Sequence, residues 1–600
     1  MPAARFARET IVGNRALTRF DAIVIGSGAG GAATAEILAR HGRKVLILEA
    51  GPNWHLGLAD PDPAAVRNVF SNDELKFQRR HFLTPDPLVD PRSFRESEEE
   101  DGLRRSVGEV NHLPRCVGGA GVHANLATPR FDAQGFELGR LLGARVPGAS
   151  FADWPVSYAE LEPFYLYNEW LLGVQGEPER NPFEPPRSGP LPMPAGPDHA
   201  AGYRIAEAAA KLGYHPFLTA HAINSRPYAG RPPCAGCGFC GGYGCPIDAK
   251  GSPAVTSLRR ALLSGNALLL AETRAVRLVP SASGREIAAV EALDPSGARV
   301  SFRADRYVLG CGAAEDARLC FLSGDGSPGA AIGNRSGLVG RNLTFHLIHS
   351  VAGVFRERLH AYRGKTHSMG FQDLRGVAGD DSRPLGGLVI SGGATEPVQE
   401  ALQMARSLRM AGERLWRALR ESAFRDRIFG LSMYAEDAPQ ERNRIDLDPQ
   451  LRDMDGIPAL RVCYRSHAFE LDVRRRVMPR MQAVLREAGA FAIFAGPREV
   501  PSETRHVFGT LRFGNEPGKS VCRRDGRFHE IGNLWATGSS LFPTSSGFNP
   551  YLTIASVGSW VGASLLDASA PERAIEADLA RIRSGAAAGV GLVSVPLRPA

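Results

Sequence analysis

Residues 21–51 read DAIVIGSGAGGAATAEILARHGRKVLILEAG, and the order of signals within them decides the fold. A short apolar run at 22–25 enters Gly26-Ser27-Gly28-Ala29-Gly30-Gly31, and 32–40 follow with helix-forming Ala, Leu and Glu. Gly26 permits a tight turn, Gly28 lets backbone come close to a pyrophosphate, and Gly31 lets helix and strand pack closely; Gly30 belongs to the same run. The helix N-terminus offers unpaired N–H groups to the phosphates. A second apolar run at 45–48 ends in Glu49, Ala50 and Gly51. A carboxylate at that point, about twenty residues after the glycines, can accept hydrogen bonds from ribose hydroxyls. The motif predicts a dinucleotide-binding βαβ unit and does not choose between NAD and FAD.

The rest of the chain suits a large globular protein around that unit. With 43% apolar and 22% charged residues over 600 positions, it lies outside the disordered, collagen-like and disulfide-scaffold classes. The net charge is +7, but 65 of the 71 basic residues are arginines scattered along the chain. A nucleic-acid partner, which needs a clustered basic face, is not expected. Residues 1–20 carry four arginines and no apolar run of secretory type, so cytoplasmic synthesis is expected. No window approaches the roughly 18 apolar residues of a membrane-spanning helix.

No internal repeat or low-complexity block occurs. Residues 59–115 are polar, broken by Pro61, Pro63, Pro85, Pro87 and Pro91, and acidic over 96–101, which reads as an excursion from a core domain. Residues 176–197 form a second proline-rich connector. Helical spacing is expected over 200–212, 398–422 and 470–488, and strands at 22–25, 45–48, 267–270, 276–279, 290–293, 307–309 and 534–537. The order of elements predicts an α/β core at both ends with another region inserted between.

Two further stretches, VGGAGVHANLATPRFD at 117–132 and NLWATGSSLFPTSSGFNPYLTI at 533–554, resemble flavin segments of the glucose-methanol-choline (GMC) oxidoreductases. YVLGCGAA at 307–314 and VGRNL at 339–343 extend the likeness. It is nearest to the branch of pyranose 2-oxidase, gluconate and fructose dehydrogenases and bacterial FAD glucose dehydrogenase. The resemblance implies an α/β fold: a Rossmann-type FAD domain from 1–132, 232–343 and 502–570, an inserted α+β substrate domain from 133–231 and 344–501, and a tail at 571–600. Cofactor contacts are implied at Gly118, Gly119, His123, Asn125, Val276, Gly310, Gly312, Gly538, Ser539, Asn549, Pro550 and Thr553, besides the first glycines, Glu49 and Ala50.

His506 begins HVFGTLRFG, and Asn549 sits in GFNP. In the family the residues at these two places face the reactive edge of the isoalloxazine, which implies His506 as general base and Asn549 as its hydrogen-bonding partner, holding the substrate oxygen. An imidazole suits the base role because its ordinary pKa of about 6.5 lies near working pH. His123 matches the position that carries a covalent flavin link in pyranose 2-oxidase, but the flanking threonines of that pattern are missing here. His346 and His349, in NLTFHLIHS, lie in an apolar stretch and read as structural.

Cys234, Cys237, Cys240 and Cys245 crowd into CAGCGFCGGYGC, while five other cysteines stand alone. Tetrahedral zinc, an iron–sulfur cluster, reduced thiols and a disulfide pair are all compatible with this spacing. Relatives in the resembling branch carry a three-iron cluster at a similar but differently spaced segment.

The reading that follows is an FAD-dependent dehydrogenase that oxidises a CH–OH group of a sugar, polyol or related alcohol. Its electrons would pass to an external acceptor, with a small subunit and a cytochrome as implied partners and export alongside such a subunit as an alternative to the cytoplasm. Rival readings are a peroxide-forming oxidase with flavin tethered at His123, a lyase that keeps flavin only as structure, and an FAD-bound scaffold whose cysteine loop binds zinc or a partner.

Overall fold

A computed structural model of the chain describes residues 9–71, 84–97, 106–325, 330–361, 364–365, 367–380, 385–392, 405, 409–420, 427–495 and 505–587. Its first sheet has the strand order Ile11–Gly13, Ala267–Leu270, Val45–Leu48, Phe20–Ile25, Ala304–Leu309 and Leu534–Ala536. All neighbours are parallel except the edge strand Ile11–Gly13. Val45–Leu48 is buried throughout, as expected of a parallel strand covered on both faces. The helix Ala29–Arg40 follows the glycine run and packs along the helix Tyr551–Leu566, where Thr34 Oγ1 donates to the Gly558 carbonyl at 2.8 Å. Residues from the two ends of the chain thus share one core.

A second six-stranded sheet is antiparallel, in the order Phe217–Leu218, Met369–Phe371, Val389–Gly392, Ile428–Ala435, Leu347–Val354 and Ala492–Ala495. Along Ile428–Ala435 the side chains alternate. Phe429, Leu431, Met433 and Ala435 join a core built with Val473, Val477 and Met481 of the helix Ala468–Glu487 and Ile205 and Ala209 of the helix Ala200–Lys211. Tyr434 points the other way, and its ring stacks on His506.

A smaller sheet pairs Arg444–Arg452 and Pro458–Cys463 with Arg92–Arg95 and Ser106–Gly108. The proline-broken excursion is therefore tied back to the body of the protein by a strand pair. The expected strands all form. Of the expected helices, those near 200–212 and 470–488 form as Ala200–Lys211 and Ala468–Glu487, and Gly412–Arg420 is the described part of the third. Positions 398–404, 406–408 and 421–422 of that third helix, 98–101 of the acidic run and 588–600 of the tail lie outside the described residues. Among the described residues no helix is long and apolar enough to cross a membrane.

Candidate active site

A cavity of about 220 Å³ opens where the first strands of the parallel sheet end. Of the residues expected to contact a dinucleotide, Gly26, Gly28, Gly30, Glu49, Ala50, Gly119, Gly310, Gly312, Gly538 and Ser539 line it. This is the carboxyl end of a parallel sheet, where such folds bind nucleotides. Gly28 is the position that leaves room for a ligand: a Cβ built on it meets nothing within 4 Å. Gly31 has the opposite role, since a Cβ there would stand 2.1 Å from the Gly26 carbonyl oxygen, so it permits the helix to close on the turn.

Glu49 is held in place by its surroundings. Its Oε2 accepts from the Ser27 N–H at 3.1 Å and from Ser27 Oγ at 2.6 Å, while Oε1 accepts from the Gly51 N–H at 2.9 Å. Ser27 Oγ in turn accepts from the Gly118 N–H at 3.0 Å, so Gly118 reaches the site through this bond and not as lining. Burial pushes the Glu49 carboxyl above the ordinary range, and these hydrogen bonds oppose the shift. Each carboxylate oxygen has further lone-pair capacity for a ribose hydroxyl.

The other expected contacts are not among the residues lining the cavity. Val276 follows residues 273–275, which line it. Pro550 precedes the helix Tyr551–Leu566, whose Tyr551 and Ile554 line it, whereas the buried Thr553 hydroxyl pairs with Tyr165 at 2.9 Å. Asn125 accepts from the Ala127 N–H and pairs through Nδ2 with His367 Nδ1 at 3.0 Å. His123 is buried, and burial holds its imidazole well below the usual range. Arg92, Arg115, Arg274 and Arg318 line the cavity unforeseen, accompanied by Asp90 and Glu315. No local spacing announces them, because they are gathered from positions 90 to 318 by tertiary structure.

His506 lies just before the strand Val507–Phe508, which pairs antiparallel with Thr344–Phe345. That strand runs along the 538–541 turn: the Gly509 N–H donates to the Ser539 carbonyl at 3.0 Å, and Ser539 lines the cavity. Asn549, expected as the hydrogen-bonding partner of His506, makes no hydrogen bond to it among the described residues. With Phe345 opposite Val507, the next cross-strand neighbour of His506 is His346, and the two Nδ1 atoms lie 3.0 Å apart. Reading His346 as structural therefore missed a neighbour of the expected base; the signal was the strand pair, which no local spacing reveals. His349 is buried within the strand Leu347–Val354. Asn549 is 4% exposed, and its Oδ1 makes no hydrogen bond among the described residues. A buried polar atom without a partner calls for an explanation, and contact with a bound ligand is one.

Behind His346 lies a buried polar chain. His346 Nε2 is 2.9 Å from the Ser545 carbonyl oxygen. Ser545 Oγ and the Ser546 N–H both donate to Glu436 Oε1, at 3.1 and 2.7 Å. Glu436 Oε2 lies 3.5 Å from Arg375, which also grips Asp132 with two donors at 2.9 and 3.1 Å. Burial pushes the Glu436 carboxyl up to about 7 against the pull of Arg375. Arg375→Met leaves two buried carboxylates without their cation and is expected to destabilise the fold by about 3–5 kcal/mol, measured by denaturant unfolding.

The four clustered cysteines line one small cavity of about 80 Å³ together with Lys250, and among the described residues none of the four is joined in a disulfide. Lys250 is 3% exposed, and its Nζ donates to the carbonyls of Ala124, Cys240 and Tyr243 at 2.8, 2.8 and 2.9 Å. The Gly242 N–H donates to the His123 carbonyl at 2.8 Å, so the loop abuts the 117–132 segment. Among the described residues no group of three or more His, Cys, Asp or Glu is arranged to hold a metal ion. The thiols share a cavity without converging on a common point as they stand.

The GMC oxidoreductase family profiles match residues 156–348 and 439–558, and the profile for an NAD(P)-binding Rossmann-like domain matches 24–59. The chain is 29% identical over 549 residues to 6'''-hydroxyparomomycin C oxidase of Streptomyces lividus, covering 89% of each chain. It is 27% identical over 607 residues to the gluconate 2-dehydrogenase flavoprotein of Pantoea cypripedii, covering 93% of this chain and 96% of that one. The crystal structure of pyridoxine 4-oxidase from Mesorbium loti superposes with a TM-score of 0.58 at 15% identity, covering 91% of this chain and 99% of that one, which shows a shared fold. Glycine cradle, paired acid, C-terminal helix and two matched family segments agree, and the chain belongs to the GMC oxidoreductase family.

Proposed function

We propose that the protein is an FAD-dependent oxidoreductase that takes two electrons from the CH–OH carbon of a sugar, polyol or related alcohol and passes them to an external acceptor. The observation that carries this reading is the strand after His506, hydrogen-bonded along the turn that lines the dinucleotide cavity. Residues 1–132, 232–343 and 502–570 make up the FAD domain, and 133–231 with 344–501 the substrate domain. The residues fit the cofactor: the open space over Gly28 takes a pyrophosphate, Glu49 takes a ribose, and Asn549 offers an unused amide oxygen. When bound, the flavin supplies a two-electron acceptor for the hydrogen leaving the carbon.

The chain's own residues handle the proton and the substrate. His506 takes the hydroxyl proton, and the Asn549 amide holds the substrate oxygen. Burial, with His346 beside it, pushes the His506 imidazole down to about 3, so it is neutral and able to accept a proton at physiological pH. The relatives named for 6'''-hydroxyparomomycin C and for gluconate support a sugar-related substrate.

The dehydrogenase form of the reading rests on the cysteine loop, where we propose that Cys234, Cys237, Cys240 and Cys245 would hold an iron–sulfur cluster; once bound it would supply a one-electron carrier, with a small subunit and a cytochrome as partners. Four thiols around one cavity, a buried ammonium beside them and the contact with the 117–132 segment support it. One purified sample tests the whole reading. Under anaerobic conditions a panel of sugars and polyols should bleach the flavin, and iron and acid-labile sulfide should be present in stoichiometric amount. A flavin that no alcohol bleaches overturns the oxidoreductase reading. Bleaching without iron, fast peroxide formation in air and flavin retained after acid precipitation would replace the dehydrogenase by an oxidase tethered at His123.

A further inference from the structure

We infer that His346 is a positioning residue that fixes the tautomer of His506, leaving His506 Nε2 as the bare nitrogen that receives the substrate proton. The inference rests on the proposed role of His506 and on the direction in which hydrogen bonds must run. A carbonyl oxygen can only accept, so the 2.9 Å contact between His346 Nε2 and the Ser545 carbonyl requires a hydrogen on that nitrogen. A neutral imidazole carries one N–H, which leaves His346 Nδ1 with a lone pair. Across the 3.0 Å contact, His506 Nδ1 must then be the donor. The single hydrogen of neutral His506 is thereby committed to Nδ1, and Nε2 keeps its lone pair; among the described residues Nε2 makes no hydrogen bond.

Three features hold the relay in this direction. The Ser545 carbonyl sits in a segment pinned by Glu436, which accepts from Ser545 Oγ and from the Ser546 N–H, and Ser546 itself has a φ of 62°, a strained conformation for a residue with a side chain. The segment is also tied from the other side, where the Asp437 N–H donates to Ser545 Oγ at 3.0 Å. Second, burial pushes the His346 imidazole down to about 4, with nearby Arg375 acting in the same sense, so His346 stays neutral near pH 7 and offers an acceptor. Third, the rings are clamped. His346 meets His506 edge-to-face at 82°, Tyr434 stacks on His506 at 5.4 Å, and Phe508 lies 4.9 Å from His346. Among the described residues no carboxylate contacts His506, so the device orients the base without adding an anion that would raise its pKa.

The proton balance is simple. One proton moves from the substrate hydroxyl to His506 Nε2, making an imidazolium that still donates from Nδ1 to His346. The pair therefore need not rearrange as charge appears. Protonation of His346 in acid would reverse the relay: His506 Nδ1 would become the acceptor and Nε2 would carry the hydrogen, which removes the base.

Two measurements test this. In the flavin-loaded enzyme labelled with ¹⁵N-histidine, the ring signals of His506, assigned by their loss in His506→Ala, should report hydrogen on Nδ1 and a bare Nε2 at neutral pH. Hydrogen on Nε2 would overturn the inference. This readout needs no substrate, so it separates failure of the relay from failure of the functional reading. In the second measurement, His346→Leu should lower the rate of alcohol-dependent flavin reduction by roughly 10- to 100-fold, the scale found when a partner that orients a functional imidazole is removed. His346→Asn, whose Oδ1 can stand near the lost Nδ1 and accept from His506, should recover most of that loss. Equal losses in both variants would mean that His346 only fills space, and would overturn the proposal.

Discussion

His506→Ala should lower kcat/KM for alcohol-dependent flavin reduction by roughly 10²- to 10⁴-fold, the range for loss of a positioned general base, while the flavin stays bound. The retention follows from geometry: the cavity proposed for the cofactor is lined by Gly26, Gly28, Gly30, Glu49, Ala50, Gly119, Gly310, Gly312, Gly538 and Ser539 among others, and His506 does not line it. Stopped-flow reduction and the visible spectrum of the same sample read the two quantities. Loss of flavin together with rate would assign His506 a structural role and remove the base from the mechanism. The wild-type pH profile provides a check of sign. Because burial and His346 lower the His506 pKa, the base is neutral above that value and becomes protonated only below it. The acid limb of kcat/KM is therefore expected well below the ordinary imidazole value of about 6.5, with activity falling as pH drops and flat above. A limb near 6.5 would show that His506 is solvated and is not held as described.

The second large effect separates two glycines three residues apart. Gly28→Ala places a methyl group in open space, on backbone with a φ of −69°, which alanine adopts readily. The apo-protein should therefore melt as wild type does. The new methyl occupies room that the fold leaves for a pyrophosphate, and overpacking of about 1–3 kcal/mol corresponds to FAD affinity weakened by roughly 5- to 150-fold. Gly31→Ala should do the reverse. Its Cβ would lie 2.1 Å from a backbone oxygen that cannot move away cheaply, so the strand–helix junction opens and the fold itself loses about 3 kcal/mol or more. Calorimetry of FAD binding and thermal melting of both apo-proteins discriminate the two. If Gly28→Ala lowers the melting temperature and leaves FAD affinity intact, the cavity beside Gly28 is not the phosphate site.

The stability of the site's support has its own pH dependence. His346 and His506 have pKa values below those of an unfolded histidine, so the folded state binds fewer protons than the unfolded chain between about 4 and the ordinary 6.5. Their contribution is thus fully present above the unfolded value and is lost as pH falls through the folded values. Acid should loosen the site over the same range in which the imidazole relay reverses.

The nucleotide half of this protein was legible in its amino-acid order because its chemistry is local. A strand, a turn that needs glycine, a helix start and an acid on the next strand lie within thirty residues, and each has steric or hydrogen-bonding requirements that few residue types meet. Gly28, Gly31 and Glu49 could be read for that reason. The resemblance at 117–132 and 533–554 pointed to further residues, of which Gly119, Gly538 and Ser539 line the cavity. The order of residues could not show which histidine stands beside His506, because the answer depends on the pairing of Thr344–Phe345 with Val507–Phe508 across 160 positions. It was equally silent on the chain from Asp132 through Arg375 and Glu436 to Ser545, and on the arginines drawn from positions 92 to 318 around the cavity. Hydrogen-bond direction and burial are properties of neighbours, and only the tertiary structure decides who the neighbours are.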